Sequence, residues 1–499
     1  MEASGSEIHF ENGKNGQLTC SFQGKYLHSK YNPQNEGERF AQMLEADFSP
    51  LCVFIIEPAL SYCLPALKMR FPQAEICAIR IRKEFKDYDS VWDHVFYFNS
   101  GFSSLGECIF NSLSEEKLCS SLVFDWAATK QAFPDENIKI WAEIKNAILK
   151  ARDVIGTRAF FSKRWLKNSL IFASRLQKIY TIEKGSSSVI IAASGPSLFS
   201  SIPFIKKFRK SFFLIAVSSA FMPLSANEIV PDLVISSDGG YWAKRHLDFP
   251  NSRAKTIFAL EAESAIPGKI FENEKILPLF YQDGIERHLL EALKIKGIPT
   301  ERNGTVAGTA LQFALSITSG PVFLCGLDQA PAVSYQHTQP NALEAGNEQK
   351  DFRLRTKESR ISSSRFNSSA VLKIYRDWFV SNSNFFSGRV FRLSDNFNYQ
   401  FSLGKIREVS WEEFSKMKSE KAVFPSFHKC DIHKNRQERK QILSQKLASI
   451  SESEEFISEV LPMDALLIKR EISPEKKNEL RIKIKEKIEK LLTECNKLL

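Results

Sequence analysis

A turn of serine, glycine and proline follows a predicted buried strand in the middle of the chain. The strand covers residues 189–193, and Ser194, Gly195, Pro196 and Ser197 lead from it into a predicted helix. A helix N-terminus carries unpaired N–H groups and the positive end of a dipole, glycine lets a ligand approach the backbone, and proline suits the first helical turn. The turn therefore indicates either an anion site, such as one for a phosphate, or an ordinary connection between strand and helix.

Two further groups of polar residues stand where a predicted strand ends or a predicted helix begins. Ser237 and Asp238 follow a strand at 233–236, and two glycines come directly after them. An aspartate in that position can bind a ribose hydroxyl or a metal ion, or it can simply form a turn with the glycine. Gly304 and Thr305 lead into the next predicted helix, whose N-terminus either suits an anion or is merely capped.

A histidine follows the last predicted strand of this region. Asp328 comes at the end of that strand, and His337 lies nine residues further on in a polar loop. Histidine, with an unperturbed pKa of about 6.5, suits the removal of a proton from a hydroxyl near neutral pH. His246 is predicted on a helix that leads away from the strand ends, and His288 within another helix. A lone histidine is usually structural or simply exposed. Reactive groups follow strand ends in doubly wound folds, however, so among the three histidines position favours His337 as a general base, with Asp238 as the alternative.

Alternating strand and helix patterns predict the elements that position these residues. Residues 185–410 predict a central Rossmann-like, doubly wound domain, and residues 1–130 predict a smaller N-terminal α/β domain. Residues 131–184 predict a helical connector and residues 411–499 a helical C-terminal domain. The fold class is therefore α/β. Four apolar residues near the C-terminus predict a bundle face or docking surface: Leu480, Ile484, Ile488 and Leu491.

Composition excludes several classes of protein. The chain has 499 residues, of which 43% are hydrophobic and 25% charged, as in ordinary globular proteins. No apolar run is long enough for a membrane span, and the first residues lack the pattern of a secretory signal. Nine scattered cysteines without a CxxC pair indicate free thiols and a cytoplasmic location. The net charge is +10, and residues 130–184 have a surplus of basic side chains, which indicates either a patch for phosphates or an acidic partner or the solvated face of helices. Aromatic residues are not interleaved with the basic ones, so nucleic acid binding is not expected.

The order and spacing of these motifs resemble the motor accessory factor (Maf) family of bacterial flagellin glycosyltransferases. The resemblance extends over residues of about 25 to 410. The segments that carry it are 28–33 with Glu36, 157–168, 194–198, 230–238, 304–310, and 324–328 with His337 behind it. The central domain is also similar to bacterial sialyltransferases and to archaeal 6-hydroxymethylpterin diphosphokinase.

The resemblance to sialyltransferases implies a cleft that binds a CMP-sugar. Ten residues are implied to line it: Ser194, Gly195, Pro196, Ser197, Ser237, Asp238, Gly304, Thr305, Asp328 and Asn396. The chain departs from those enzymes at Ser194, where they have an asparagine. They carry their catalytic histidine in a lid segment, and residues 355–380 of this chain contain no histidine. His337 and Asp238 are therefore the two candidates for the base.

The Maf resemblance implies a transferase. It would move a nonulosonic acid of the pseudaminic or legionaminic type from a CMP donor to serine or threonine of flagellin, as flagellar filament assembly and motility require. No cofactor and no metal ion is expected beyond the CMP-sugar, and flagellin is the expected partner. One alternative is an ATP- and magnesium-dependent pyrophosphokinase of the 6-hydroxymethylpterin type, and another is a non-catalytic flagellin-binding protein.

Overall fold

The computed structural model divides the chain into two compact units. The first unit comprises Met1–Ser162 and Glu452–Glu489, and the second comprises Lys163–Ser451 and Lys490–Leu499. The residues described are 7–99, 104–248, 256–330, 335–363, 369–394, 399, 401–417 and 422–499. Parallel sheets with helices make up the core of each unit, so the predicted α/β fold class is confirmed.

The first unit begins with a small antiparallel sheet and continues into a parallel one. Its strands are β1 (His9–Asn12), β2 (Leu18–Phe22), β3 (Lys25–Tyr26), β4 (Cys52–Ile56), β5 (Glu75–Arg80), β6 (His94–Tyr97) and β7 (Ser121–Asp125). Its helices up to this point are α1 (Pro33–Met43), α2 (Leu64–Arg70), α3 (Leu105–Ser112), α4 (Glu115–Cys119) and α5 (Ala127–Ala132). The parallel sheet has the order β6-β5-β4-β7, and β4 is buried along its whole length because helices cover both faces.

The predicted connector is mostly one helix. Helix α6 (Pro134–Arg175) runs for 42 residues, and its buried residues Ile140 and Ile144 lie one turn apart on one face. Residues 179–183, which were also assigned to the connector, instead form strand β8 (Ile179–Glu183) of the large sheet. A strand of five residues has too short a pattern to be separated from the helix before it.

The second unit contains the large sheet. Its remaining strands are β9 (Val189–Ala192), β10 (Phe213–Val217), β11 (Leu233–Ser236), β12 (Ile257–Glu261), β13 (Lys275–Tyr281), β14 (Ile298–Thr300), β15 (Val322–Cys325), β16 (Val390–Leu393), β17 (Arg407–Val409) and β18 (Ser426–Cys430). Its helices are α7 (Leu198–Phe208), α8 (Ser218–Ala226), α9 (Tyr241–Leu247), α10 (Gly268–Asn273), α11 (Ile285–Ala292), α12 (Val306–Ile317), α13 (Ala342–Glu348), α14 (Lys357–Ser363), α15 (Ser369–Phe386), α16 (Trp411–Met417) and α17 (Arg436–Ile450).

The large sheet has the order β17-β16-β15-β9-β10-β11-β12-β13-β8-β18, with β14 paired to β13. All pairings are parallel except that of β18 with β8. Strands β9, β10, β11 and β15 are buried at every residue, as strands covered by helices on both faces must be. The doubly wound prediction for the central region is thus confirmed.

Helices form most of the C-terminal region. Helices α18 (Glu454–Val460), α19 (Pro462–Arg470) and α20 (Pro474–Leu498) follow α17, whereas β18 adds a strand to a segment that was predicted to be helical. Ile484, Ile488 and Leu491 of the predicted apolar stripe are each at least 95% buried within the chain itself. The chain itself therefore covers these three residues, whereas Leu480, the fourth member of the stripe, is half-buried. No described helix has both the length and the apolar character needed to cross a membrane.

Candidate functional site

The large sheet reverses its direction of growth beside β9. From β9 the chain adds β10, β11, β12 and β13 in turn on one side, and then returns to place β15 and β16 on the other side. Doubly wound folds bind ligands in a crevice at the carboxyl edge of the sheet where the strand order reverses, which here is the place between the loops after β9 and β15. The Ser194–Ser197 turn follows β9, and Gly326–Asp328 follows β15.

The two turns at this crevice touch each other through glycine. The Gly195 N–H donates to the Gly326 carbonyl at 2.8 Å. A Cβ on Gly195 would lie 2.6 Å from that carbonyl oxygen and 2.7 Å from Cγ of Asp328. Gly326 itself has φ +69°, and a Cβ there would lie 2.3 Å from the Ala193 carbonyl oxygen. Both positions need glycine so that the β9 and β15 turns can pack together.

A carboxylate occupies the N-terminus of α7. The Ser197 N–H donates to Oδ2 of Asp328 at 2.9 Å, and the Ser197 hydroxyl donates to Oδ1. Phe199 N–H donates to the Pro196 carbonyl at 3.2 Å, which closes the first turn. Asp328 is buried, and burial raises the pKa of its carboxyl group while the bonds from Ser197 lower it. A phosphate can reach the Ser197 N–H only by displacing Asp328.

His337 lies directly over the turn after β9. Its Nδ1 is 2.8 Å from the hydroxyl of Ser194, which is 2.7 Å from the hydroxyl of Ser219 at the start of α8. Thr338 N–H donates to the Ser194 carbonyl at 2.8 Å, and the Thr338 hydroxyl donates to the Gly195 carbonyl at 2.7 Å. Three of these hydrogen bonds, one made by His337 and two by Thr338, fix the loop that carries His337 against the carboxyl edge of β9.

The environment of His337 keeps its imidazole neutral. Burial lowers the pKa of His337 below its usual value. When Nδ1 carries the proton, it donates to Ser194, and the Ser194 hydroxyl donates in turn to Ser219. The lone pair of Nε2 then remains available, because Nε2 has no hydrogen bond to any residue in the described ranges. An imidazole in this state can accept a proton from a hydroxyl group.

His246 does not lie where the sequence placed it. Its helix was predicted to lead away from the strand ends, but the ring of His246 packs against that of His337, with centroids 6.2 Å apart and planes at 89°. Helix α9 has only seven residues and packs against α8 and α13, so His246 comes back toward the carboxyl edge. Burial, and the neighbouring His337, lower the pKa of His246 to about 4.

A second group of predicted residues lies at the end of β11. The hydroxyls of Ser237 and Thr309 are 3.1 Å apart, which ties the end of β11 to α12. Asp238 is exposed, and its Oδ1 accepts the Gly240 N–H at 2.7 Å. Burial, together with the charge of Asp238, raises the pKa of Tyr375 on α15. Asp238 is therefore near a tyrosine that the sequence did not single out.

Gly304 and Thr305 form the start of α12. Thr305 is the N-cap, and its hydroxyl accepts the Ala307 N–H at 3.3 Å, while Asn303 Oδ1 accepts the Thr305 N–H at 3.2 Å. Gly304 has φ +76°, a conformation that L-residues rarely adopt, and a Cβ there would face only the ring of Tyr375 at 3.9 Å. The N-terminus of α12 is thus capped by its own side chains, and the backbone at Gly304 is also open to the approach of a ligand.

The two groups of residues lie on one edge of one sheet. Strands β9 and β11 flank β10, so their ends are separated by two strand spacings, or roughly 10 Å. This separation suits a ligand with two recognised parts. Asn396, the remaining predicted cleft residue, lies outside the described residues. No three His, Cys, Asp or Glu side chains of the described ranges are grouped so that they could hold a metal ion.

Sequence reasoning missed several residues of this edge. Ser219 follows β10 just as Ser194 follows β9, so the rule of strand ends could have identified it. Tyr375 and His246 lie on helices that carry no recognisable motif, and only the packing of those helices brings them to the edge. A cavity of about 430 Å³ lies elsewhere, between β8, β13 and α11, and contains none of the predicted residues.

Comparison with known proteins supports the resemblance predicted from the motifs. Residues 163–334 match the model of the 6-hydroxymethylpterin diphosphokinase MptE-like family. An uncharacterized protein of Treponema pallidum (strain Nichols) is 30% identical over 239 residues, which are 48% of this chain and 53% of that protein. The chain therefore spans about half the length of the curated relative that it matches.

A solved structure extends the comparison to the whole chain. The Maf glycosyltransferase of Magnetospirillum magneticum AMB-1 superposes with a TM-score of 0.53 and 12% identity, and the match covers 99% of this chain and 92% of that one. At this identity the likeness is one of fold. The chain thus resembles a Maf glycosyltransferase in fold along nearly its whole length, and MptE-like proteins in its central region, as the sequence predicted.

Proposed function

We propose that the chain is a glycosyltransferase that moves a nonulosonic acid from a CMP donor to serine or threonine hydroxyls of flagellin in the cytoplasm. The observation that carries the proposal is the pair of Ser194 and His337 at the crevice between β9 and β15. A neutral histidine held at a ligand-binding edge is suited to activate a hydroxyl, and the fold is that of a Maf glycosyltransferase.

His337 is the general base of the proposed reaction. The acceptor hydroxyl gives its proton to Nε2 as its oxygen bonds to the anomeric carbon of the sugar, and the bond between that carbon and the phosphate oxygen breaks, so CMP leaves with the bonding electrons. Ser194 holds Nδ1 and thereby fixes the ring and its tautomer. Ser219 completes the chain of hydroxyls behind it.

The β11 side of the edge is proposed to bind the donor. Asp238 is exposed beside a turn with two glycines, and Ser237, Gly304 and Thr305 lie next to it at the start of α12. Hydroxyl groups of ribose or sugar suit this set of acceptors and donors. Asp328 at the N-terminus of α7 repels a phosphate held there, so we place the charged phosphate away from the Ser197 N–H.

A second candidate function is an ATP- and magnesium-dependent pyrophosphokinase. The match of residues 163–334 to the MptE-like family favours it. In that reaction a hydroxyl also attacks an activated group, so His337 would serve the same purpose. Two different chemistries can share one fold, and the nucleotide that is bound decides between them.

Thermal unfolding with nucleotides tests the two functions. A ligand at 100 times its dissociation constant adds about 2.7 kcal/mol to the free energy of unfolding. We expect CMP without added metal to raise the midpoint more than ATP with magnesium does. Incubation with a CMP-activated nonulosonic acid and purified flagellin should then add the mass of the sugar to flagellin. A larger shift with ATP and magnesium, and pyrophosphorylation of a pterin, would favour the second candidate.

A further inference from the structure

Strand β11 ends in a turn whose backbone is held at three consecutive carbonyl groups. The carbonyls of residues 236–238 accept, in that order, the Ser264 hydroxyl at 3.1 Å, the Tyr281 hydroxyl at 3.4 Å and the Ala265 N–H at 3.0 Å. The side chain of Asp238, in contrast, is exposed. The backbone of this turn is therefore fixed by its neighbours, while the carboxylate that it carries stays accessible to a ligand.

Arg302 contacts the segments that carry all three of these donors. Its Nη1 and Nη2 donate to the two carboxylate oxygens of Glu263 at 2.8 and 2.9 Å. Glu263 directly precedes Ser264 and Ala265 in the chain. The guanidinium also lies over the ring of Tyr281, 4.2 Å from the ring centroid, within the range of a cation–π interaction. One side chain thus connects the donors that hold the turn.

The charges around Arg302 explain why this position carries an arginine. The side chains of Arg302 and Glu263 are 18% and 7% exposed. Burial and the negative charge of Glu263 raise the pKa of Glu261 and Glu286 well above the usual range, which favours their neutral forms. Glu263 is therefore the buried anion that Arg302 neutralises. The planar guanidinium matches both oxygens of this carboxylate at once, which a lysine ammonium group cannot do.

The second half of α6 packs against the same group of residues. The Arg302 guanidinium is 5.1 Å from the centroid of the Trp165 ring, and Nδ2 of Asn168 donates to the Glu263 carbonyl at 2.7 Å. A Cβ on Gly239 would lie 2.6 Å from Cδ1 of Trp165, so glycine at this position lets the turn after β11 approach the ring. Trp165 thus contacts both the arginine and the turn.

We propose that Arg302 is a positioning residue of the donor-binding side, which holds the turn after β11 so that Asp238 meets the hydroxyl groups of the donor. This proposal rests on the proposed function. Arg302 touches no reacting atom and acts through Glu263 and Tyr281 on the carbonyls of residues 236–238. A hydrogen bond between a carboxylate and a hydroxyl is lost when the carboxylate moves by about 1 Å, so a loosened turn should bind the donor more weakly.

The first test measures the turn itself, in the full chain and without a ligand. Arg302→Lys keeps the positive charge but removes the paired N–H groups and the flat stacking surface. Hydrogen exchange followed by mass spectrometry should show amides of residues 236–240 and 261–265 exchanging about threefold faster or more in this variant.

Arg209→Lys is the matched control for this measurement. Arg209 pairs with Asp232 at 2.9 Å, but it does so at the amino end of β11, away from the turn. We expect this variant to leave exchange in both segments unchanged. Unchanged exchange in Arg302→Lys, or an equal increase in both variants, would overturn the proposal.

The second test measures sugar transfer with the same two variants. We expect Arg302→Lys to raise the KM for the CMP-sugar about tenfold, with kcat and the KM for flagellin within about twofold of wild type. Arg209→Lys should keep the wild-type KM. A purely structural role of Arg302 would lower stability and leave the donor KM unchanged, and that result contradicts the proposal.

Two further outcomes are distinguishable. If the wild-type protein transfers no sugar, the proposed function fails, while hydrogen exchange still decides whether Arg302 holds the turn. If Arg302→Lys does not fold, Ser264→Ala takes its place, because it removes one of the three donors and leaves the buried ion pair intact. It should shift exchange and the donor KM in the same directions, and a variant without either shift counts against the proposal.

Discussion

The carboxyl edges of the two parallel sheets differ in how their polar groups are satisfied. In the first unit, Glu57 follows β4 and Arg80 ends the neighbouring β5, and their fully buried side chains form an ion pair at 3.1 Å. The Glu57 carboxylate also accepts the N–H groups of Ile81 at 2.6 Å and Arg82 at 2.9 Å. In the second unit, by contrast, His246 has an unpaired ring nitrogen and Nε2 of His337 has no partner in the described ranges.

The backbone after β4 in the first unit holds three residues in a strained conformation. Glu57, Ala59 and Ser61 after β4 all have positive φ, at 42°, 43° and 64°, although none is glycine. Each of these left-handed conformations costs about 1–2 kcal/mol. Arg80 holds the loop in place by donating to the Ala59 carbonyl at 2.8 Å and to the Ser61 hydroxyl at 3.0 Å. The comparison teaches that one topology can give either an edge filled by its own side chains or an edge left open for chemistry.

The largest expected effect comes from breaking the buried ion pair between Arg80 and Glu57 in the first unit. Arg80→Met should lower the free energy of unfolding of the first unit by about 3–5 kcal/mol, because it leaves the buried Glu57 carboxylate without its counter-ion. Urea unfolding measures this. Lys68→Met, which breaks the exposed pair with Asp93, should cost no more than about 1 kcal/mol. Equal losses in the two variants would show that the first edge is not held by its ion pair.

The pH dependence of stability should distinguish the edge in the second unit, which contains His246, from the edge in the first unit. The pKa of His246 is about 4 in the folded chain and about 6.5 when unfolded, so the unfolded chain binds more protons between these values. The contribution of His246 to the free energy of unfolding is complete above about pH 6.5, and it decreases by about 3 kcal/mol as the pH falls to about 4. His246→Phe should remove that loss in acid unfolding series. His433→Phe, at an exposed histidine, is the control and should leave the loss unchanged.

Loss of the base should separate chemistry from binding at the open edge. His337→Ala should slow sugar transfer at least about 100-fold, or about 2.7 kcal/mol of activation free energy, because the general base that takes the acceptor proton is lost. Calorimetry should show that CMP still binds. His433→Ala should transfer at the wild-type rate. Flagellin of full glycosylated mass from cells with only the His337→Ala protein would rule out this base.

The smallest effect should come from the glycine that joins the two turns of the open edge. Gly195→Ala should cost about 1–3 kcal/mol, since its Cβ would lie 2.6 Å from the Gly326 carbonyl oxygen. Gly156→Ala is the matched control: nothing lies within 4 Å of its Cβ on α6, and alanine should stabilise that helix by up to about 1 kcal/mol. A stable Gly195→Ala protein with weaker nucleotide binding would instead favour the role in phosphate approach that the sequence suggested.

Strand order and strand ends were the parts of this edge that the sequence could predict. Ser194, Asp328 and His337 were selected because they come after predicted strands, and parallel strands bring such residues to one edge. The sequence could not predict that Asp328 caps α7, because a hydrogen bond between residues 131 positions apart depends on how the turns pack. It also misplaced His246, since the periodicity of a seven-residue helix does not give its direction.

The antiparallel pairing of β8 with β18 has a consequence for synthesis on the ribosome. Glu183 at the end of β8 pairs with Ser426 at the start of β18, so about 240 residues must be made before the pair can form. At about 5–20 residues per second, β8 waits roughly 12–50 s for this neighbour. Its residues from Tyr180 to Glu183 remain partly or fully exposed even in the folded chain, and β18 carries His428 and Lys429 on its exposed positions. The polar side chains of Thr181 and Glu183 on β8 itself protect the waiting strand from pairing with another nascent chain.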